Sequence, residues 1–239
     1  MNDLAFVYFD AGGTLLVPQP GVGDVYAAVG RRFGSPSLTL AGSGSAGELT
    51  RRFRAAFRRQ EALDAETGWR TDDARELARW RAIVAETLDD VTDPEACFEA
   101  LYLYFGRPDA WACPPGTADV LRELSARGYG LGVASNFDER LYAIVAGKPE
   151  LRPIRCVQIS AAAGWGKPAA GFFDAAARAA QTPPERILFV GDDQRNDYDG
   201  ARAAGFAAIL LDVRGHCERP DVSRVGGLPD LLRWCPPRT

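Results

Sequence analysis

Apolar positions along this chain of 239 residues fall into two regimes. Five short runs are almost continuously apolar: AFVYF (5–9), GLGVAS (130–135), IRCVQIS (154–160), RILFVG (186–191) and FAAILLD (206–212). A strand with one wet face alternates apolar and polar residues, so unbroken runs predict strands of a parallel sheet covered on both faces. Helical segments are predicted around 117–127, 138–146, 171–181 and 197–204. The series reads as an α/β, doubly wound, Rossmann-like parallel sheet with its functional groups at the carboxyl ends of the strands.

From about residue 22 to 105 the period changes. DDARELARWRAIVAETL places Leu77, Trp80, Val84 and Leu88 along one helical stripe. DPEACFEALYLYF opens with Asp93 as an N-cap and Pro94 at the first helical position. No strand is predicted in this stretch, and the Pro/Gly-rich joints VPQPGVG (17–23) and GRPDAWACPPG (106–116) bracket it. The predicted organisation is an α/β core of residues 1–16 and 114–239 with an all-helical cap, 17–113, inserted after the first strand.

Two patterns in the cap carry less than their appearance. GSGSAG (42–47) matches G-x-G-x-x-G, yet no β-α-β unit follows it, so a flexible loop is expected rather than a dinucleotide site. RRFRAAFRR (51–59) puts Phe53, Ala56 and Phe57 on one helix face and its arginines on the other. The cap as a whole has 12 Arg against 15 Asp and Glu, so a solvated face is preferred to a basic surface. An arginine contacting an anionic substrate stays open as the second reading.

Composition narrows the function. Hydrophobic residues at 46% are enough for a core, and a net charge of -4 argues against nucleic acid as the partner. No apolar stretch approaches membrane-spanning length, and the first residues show no signal-peptide pattern. The five cysteines (97, 113, 156, 217 and 235) are odd in number and widely spaced, as expected for reduced thiols in a cytoplasmic protein. A single histidine, His216, leaves little room for a Ser-His-Asp triad or a histidine-rich zinc site.

The candidate chemistry lies at the strand ends. Asp10 follows FVYF, Ser135 and Asn136 close GVASN, and Asp192 and Asp193 follow FVG, with Asp197 one helical turn beyond. Lys167 sits in the loop GWGKP. Of 28 basic residues only Lys148 and Lys167 are lysines; Lys148, in AGKPE, reads as solvated. A compact ammonium at 167 suits a phosphoryl group beside a carboxylate.

In order and spacing, DAGGTL, SN, KP and GDDQRNDYDGARAAG resemble the four motifs of the haloacid dehalogenase (HAD) superfamily. SNFDERL with AAAGWGKP is similar to a phosphatase-like subgroup whose helical cap lies between the first and second motifs. The resemblance implies that Asp10 is a nucleophile forming an aspartyl-phosphate. It implies that Gly13, Thr14, Ser135, Asn136 and Lys167 bind the phosphoryl group, with Ser135 and Lys167 also taking part in catalysis. It further implies Mg²⁺ held by Asp10, the Gly12 carbonyl and Asp192, with Asp193 or Asp197 close to the ion. The substrate would be a small phosphorylated metabolite and the protein a monomer or homodimer, without nucleic-acid or membrane partners.

One departure matters. Most phosphatases of the family this chain resembles have D-x-D-G-T, whose second Asp protonates the leaving group; here that position is Gly12. General acid-base help is worth roughly 10²- to 10⁴-fold, and Asp24 is the cap carboxylate considered as a substitute. Three readings follow: a phosphatase limited by its leaving group, a non-catalytic phosphate- and magnesium-binding protein, or a 2-haloacid dehalogenase. The dehalogenase branch also lacks the second Asp but needs no magnesium, which sits poorly with so many acids around Asp10. A Schiff-base phosphonate-cleaving enzyme would need a cap lysine, and 17–113 contains none. The loop DAETGWRTDD, with Trp69 and Arg70, is a candidate for specificity.

Overall fold

In the computed structural model, residues 3–39 and 45–238 are described. The chain runs through β1 (Phe6–Phe9), β2 (Val17–Pro18), α1 (Val22–Arg32), α2 (Pro36–Thr39), α3 (Ala46–Glu66), α4 (Asp73–Thr87), α5 (Pro94–Phe105) and β3 (Trp111–Ala112). It continues through α6 (Thr117–Ala126), β4 (Gly130–Ser135), α7 (Arg140–Ala146), β5 (Cys156–Ile159), α8 (Ser160–Ala163) and α9 (Ala170–Ala180). The last elements are β6 (Ile187–Gly191), a π-helical turn (Gln194–Asp199), α10 (Gly200–Ala203), β7 (Ala207–Leu211) and β8 (Arg224–Val225).

Six strands form one parallel sheet in the order β5-β4-β1-β6-β7-β8. β1 is central, and its register, Phe6 beside Gly130 and Ile187, aligns the ends of β4 and β6 with its own. Its side chains alternate between two cores. Val7 and Phe9 join one apolar layer with Leu121, Leu131 and Leu188. Phe6 and Tyr8 join the other with Phe172, Phe173 and Phe189. Burial on both faces is why this strand reads as an unbroken apolar run. The chain builds the sheet outward from β1 in one direction, then crosses back to build it in the other. Such a reversal of strand order opens a crevice at the carboxyl ends.

α1 to α5 carry a third core of their own, including Tyr26, Leu49, Val84, Leu88, Phe98 and Leu101. Asp93 caps α5 by accepting from the Ala96 amide at 3.0 Å, with Pro94 inside the first turn. GSGSAG falls partly outside the described residues, at 42–44. Its last three residues belong to the start of α3, where the Ser45 side chain caps the helix at the Glu48 amide.

Two expectations need correction. A strand pair does exist at the cap boundary: β2 and β3 form a two-residue antiparallel ribbon, Val17 with Ala112 and Pro18 with Trp111. It is too short to leave any periodicity in sequence. The α4 stripe is also rotated, for Leu77 is 37% exposed while Glu76 and Arg79 are buried. The Glu76 carboxylate accepts from Thr71 and Ser160, and Arg79 lies near both Asp64 and Glu76. Opposite charges held this close can occupy a buried face that apolar patterning alone would assign to leucine, even though Glu76 Oε2 and Arg79 Nε have no hydrogen-bond partner there. Among the described residues no helix is long and apolar enough to cross a membrane.

Candidate active site

β1 delivers Asp10 to the crevice, its amide bonded to the Val190 carbonyl of β6 at 2.8 Å. The loop after it turns on Gly13, whose φ is +84° and whose missing side chain leaves room for Asp192. A Cβ there would meet a carboxylate oxygen at 2.3 Å, so only glycine fits. Gly12 is different: its φ is not positive, and a Cβ would find nothing within 4 Å. Thr14, fully buried, donates its hydroxyl to Asp192 at 3.2 Å. Ser135 ends β4 and lines the same cavity.

Lys167 is buried with its ammonium 2.7 Å from Asp10 Oδ1 and 2.6 Å from Asp197 Oδ1. Asn136 sets that lysine in place. Its side chain accepts from the Lys167 amide at 2.6 Å and donates to the Lys167 carbonyl at 3.0 Å. The amide side chain is thereby committed to a neighbouring backbone, making Asn136 a positioning group in this geometry. Burial works against the lysine's charge, but the Asp10 and Asp197 carboxylates overcome it and hold Lys167 protonated.

Asp10, Asp192 and Asp197 bring carboxylate oxygens within 4.8 Å of one another. One ammonium cannot neutralise three such groups. The surrounding protein, then the Asp10 charge, push Asp192 up to about 6, although it stays open to the cavity. Burial likewise pushes Asp197 up, against the pull of Lys167. Hard oxygen ligands with surplus negative charge suit a small divalent cation. Asp193 does something else. Its side chain caps the π-helical turn at the Asn196 amide, 2.7 Å away, while its own amide donates to Asp197 at 3.0 Å. The carboxylate grouped with Asp10 and Asp192 is therefore Asp197.

A cavity of about 350 Å³ opens above this cluster and is roofed by the cap. Its cap wall is aromatic, with Tyr26, Phe53, Phe57, Trp80, Phe98 and Phe105. Asp24 is exposed on α1 and lies outside the lining. The lining carboxylate that the cap supplies, among the described residues, is Glu61. It accepts from Asn196 Nδ2 at 3.1 Å, and burial pushes its pKa up against that hydrogen bond. Glu61 extends the Phe53 and Phe57 face by one turn, so the i, i+4 spacing was the signal that could have found it.

Arg140 was also missed. Asp138 holds its guanidinium at 2.8 and 2.7 Å, and the Tyr102 ring lies 3.7 Å from it. On α3, Arg51, Arg52 and Arg59 pair with Glu48, Asp89 and Glu86 and stay out of the lining, as a solvated face requires. Trp69 and Arg70 stand at the seam instead of in the cavity. The Trp69 carbonyl accepts from Gly166, beside Lys167, at 2.8 Å, and Arg195 lies over its ring. Lys148 is half-buried and donates to the Trp111 carbonyl of the ribbon, so it is not the solvated residue its sequence context suggests.

A family model described as a haloacid dehalogenase-like hydrolase matches residues 6–205. The haloacid dehalogenase-like hydrolase domain-containing protein 3 of Homo sapiens is 35% identical over 208 residues, which cover 85% of this chain and 80% of that one. The phosphoserine phosphatase of Thermus thermophilus is 29% identical over 182 residues, 72% of each chain. Among solved structures, the L-2-haloacid dehalogenase from Xanthobacter autotrophicus superposes with a TM-score of 0.73 at 21% identity, covering 96% of this chain and 97% of the other. That last likeness is one of fold.

Proposed function

The chain belongs to the haloacid dehalogenase-like hydrolase family, and from that premise we propose that it is a magnesium-dependent phosphohydrolase of small phosphorylated metabolites with Asp10 as nucleophile. The observation that carries this reading is the surplus of carboxylate at the site. Asp10 and Asp197 share one ammonium and Asp192 adds a third carboxylate beside them, an arrangement that repels a further anion unless a cation joins it. Asp10, Asp192 and Asp197 would hold Mg²⁺ together with the Gly12 carbonyl, and the ion supplies charge neutralisation between two anions that must meet.

The rest follows from the chain's own groups. Lys167 fixes one oxygen of Asp10, leaving the other to attack phosphorus. A bond forms from Asp10 to phosphorus while the bond to the leaving oxygen breaks, and that oxygen departs with its electron pair. Ser135, the Gly13–Thr14 turn and Lys167 surround the transferring group. Water then displaces Asp10 as the leaving carboxylate, giving orthophosphate. Gly12 offers no side chain to protonate the leaving oxygen, so weakly basic leaving groups are favoured. The dehalogenase reading, which asks for no cation, leaves the Asp192 charge without a partner. Five free thiols support a reducing compartment such as the cytoplasm.

The test is release of orthophosphate from an aryl phosphate with Mg²⁺, measured for wild type and Asp10→Asn. Metal-dependent turnover that the variant abolishes supports the reading. Chloride release from 2-chloropropionate in chelator, without phosphate release, would replace it with the dehalogenase.

A further inference from the structure

Resting on the phosphohydrolase reading, we infer that the substrate is the monophosphate of an uncharged aromatic alcohol, with its ring system held in the cap cavity. Two independent features lead there. The first is the wall. Rings of Tyr26, Phe53, Phe57 and Trp80 neighbour one another with centroids 5.5 to 6.5 Å apart. They face the same cavity that Asp10 and Lys167 line from below. Aromatic walls of this kind bind flat apolar bodies by area and by edge-to-face contact.

Charge sharpens the point. Of the two cations lining the cavity, among the described residues, Lys167 is engaged by Asp10 and Asp197, and Arg140 by Asp138. Neither is free to meet a second anionic group on a substrate. Glu61 and Asp193, also in the lining, repel one. A sugar phosphate would leave its hydroxyls against phenyl rings, and a carboxylate-bearing or bisphosphate body would be buried unpaired. The second feature is Gly12. An aryloxide needs little protonation as it leaves, so the reaction the wall selects is also the one the missing acid permits. The bond from phosphorus to the aryl oxygen breaks, the aryloxide keeps the pair, and solvent supplies its proton.

The experiment compares phenyl, 2-naphthyl and 4-carboxyphenyl phosphates, whose leaving oxygens are similarly basic, together with O-phosphoserine, at saturating Mg²⁺. From the extra ring buried, 2-naphthyl phosphate should exceed phenyl phosphate in kcat/KM by about 5-fold. The carboxylated ring should fall about 100-fold below phenyl phosphate for want of a partner. Phe57→Ser should bring the naphthyl-to-phenyl ratio close to unity, and a ratio taken within one variant is insensitive to loss of folded protein. Turnover of 4-carboxyphenyl or serine phosphate within about 3-fold of the naphthyl ester overturns the substrate class and leaves the phosphohydrolase standing. An unchanged ratio in Phe57→Ser also overturns it. No phosphate release from any ester removes both.

Discussion

At position 12 the backbone leaves an open space where a side chain would stand, and its φ suits any residue. Gly12→Asp should therefore fold with an unchanged Tm. With a carboxyl beside the leaving oxygen, turnover of alkyl phosphates should rise about 10-fold or more, and the dependence of rate on leaving-group pKa should flatten. A leaving-group series on both proteins reads this; an unchanged slope in a folded, magnesium-binding variant means that acid catalysis is not limiting. The two lysines should separate equally clearly. Lys167→Ala removes the counter-charge of two buried carboxylates, so activity should vanish and stability fall by about 3–5 kcal/mol in chemical denaturation without metal. Lys148→Ala loses a bond to the ribbon and nothing at the crevice, so kcat should stay near wild type.

Among the elements, the π-helical turn after β6 divides labour between two acids. Asp193 caps it and Asp197 points its carboxylate at Lys167. Asp193→Ala should cost about 1 kcal/mol as a lost cap while changing magnesium affinity little. Asp192→Asn and Asp197→Asn should weaken that affinity strongly, and calorimetric titration separates the outcomes. Sequence alone could not make this division, since the three acids sit within six residues and a turn's geometry decides which faces inward. It did reveal the strand ends. Asp10, Ser135 and Asp192 each follow an apolar run, and β1, β4 and β6 align those ends in register. Arg140 stayed hidden because its place depends on cap meeting core, whereas Glu61 was legible in the i, i+4 spacing after Phe53 and Phe57. On α4, paired charges took positions that hydropathy assigns to Leu77. The two-residue strands β2 and β3 carry no periodic signal at all.

For the molecule as a whole, the magnesium site proposed above would make stability depend on pH and metal together. Asp192 sits near 3.8 when unfolded and at about 6 in the fold, so the native state binds the extra proton. Its contribution is present below the unfolded value and is lost as pH rises through about 6. Magnesium should reverse that loss, raising Tm more at pH 7.5 than at pH 5; a hundredfold excess over Kd is worth about 2.7 kcal/mol. Equal shifts at both pH values would detach Asp192 from the metal. The sheet order has a further consequence, for the timing of synthesis. β1 precedes the cap in the chain, yet its partners β4 and β6 lie beyond the whole cap insertion. The cap, with an apolar core of its own, is complete earlier in the chain. During refolding, pulse-labelled hydrogen exchange should find α1, α3 and α5 protected before β1. Asp10 would then be among the last groups to reach its place, and no half-made chain would carry the assembled cluster of Asp10, Asp192 and Lys167.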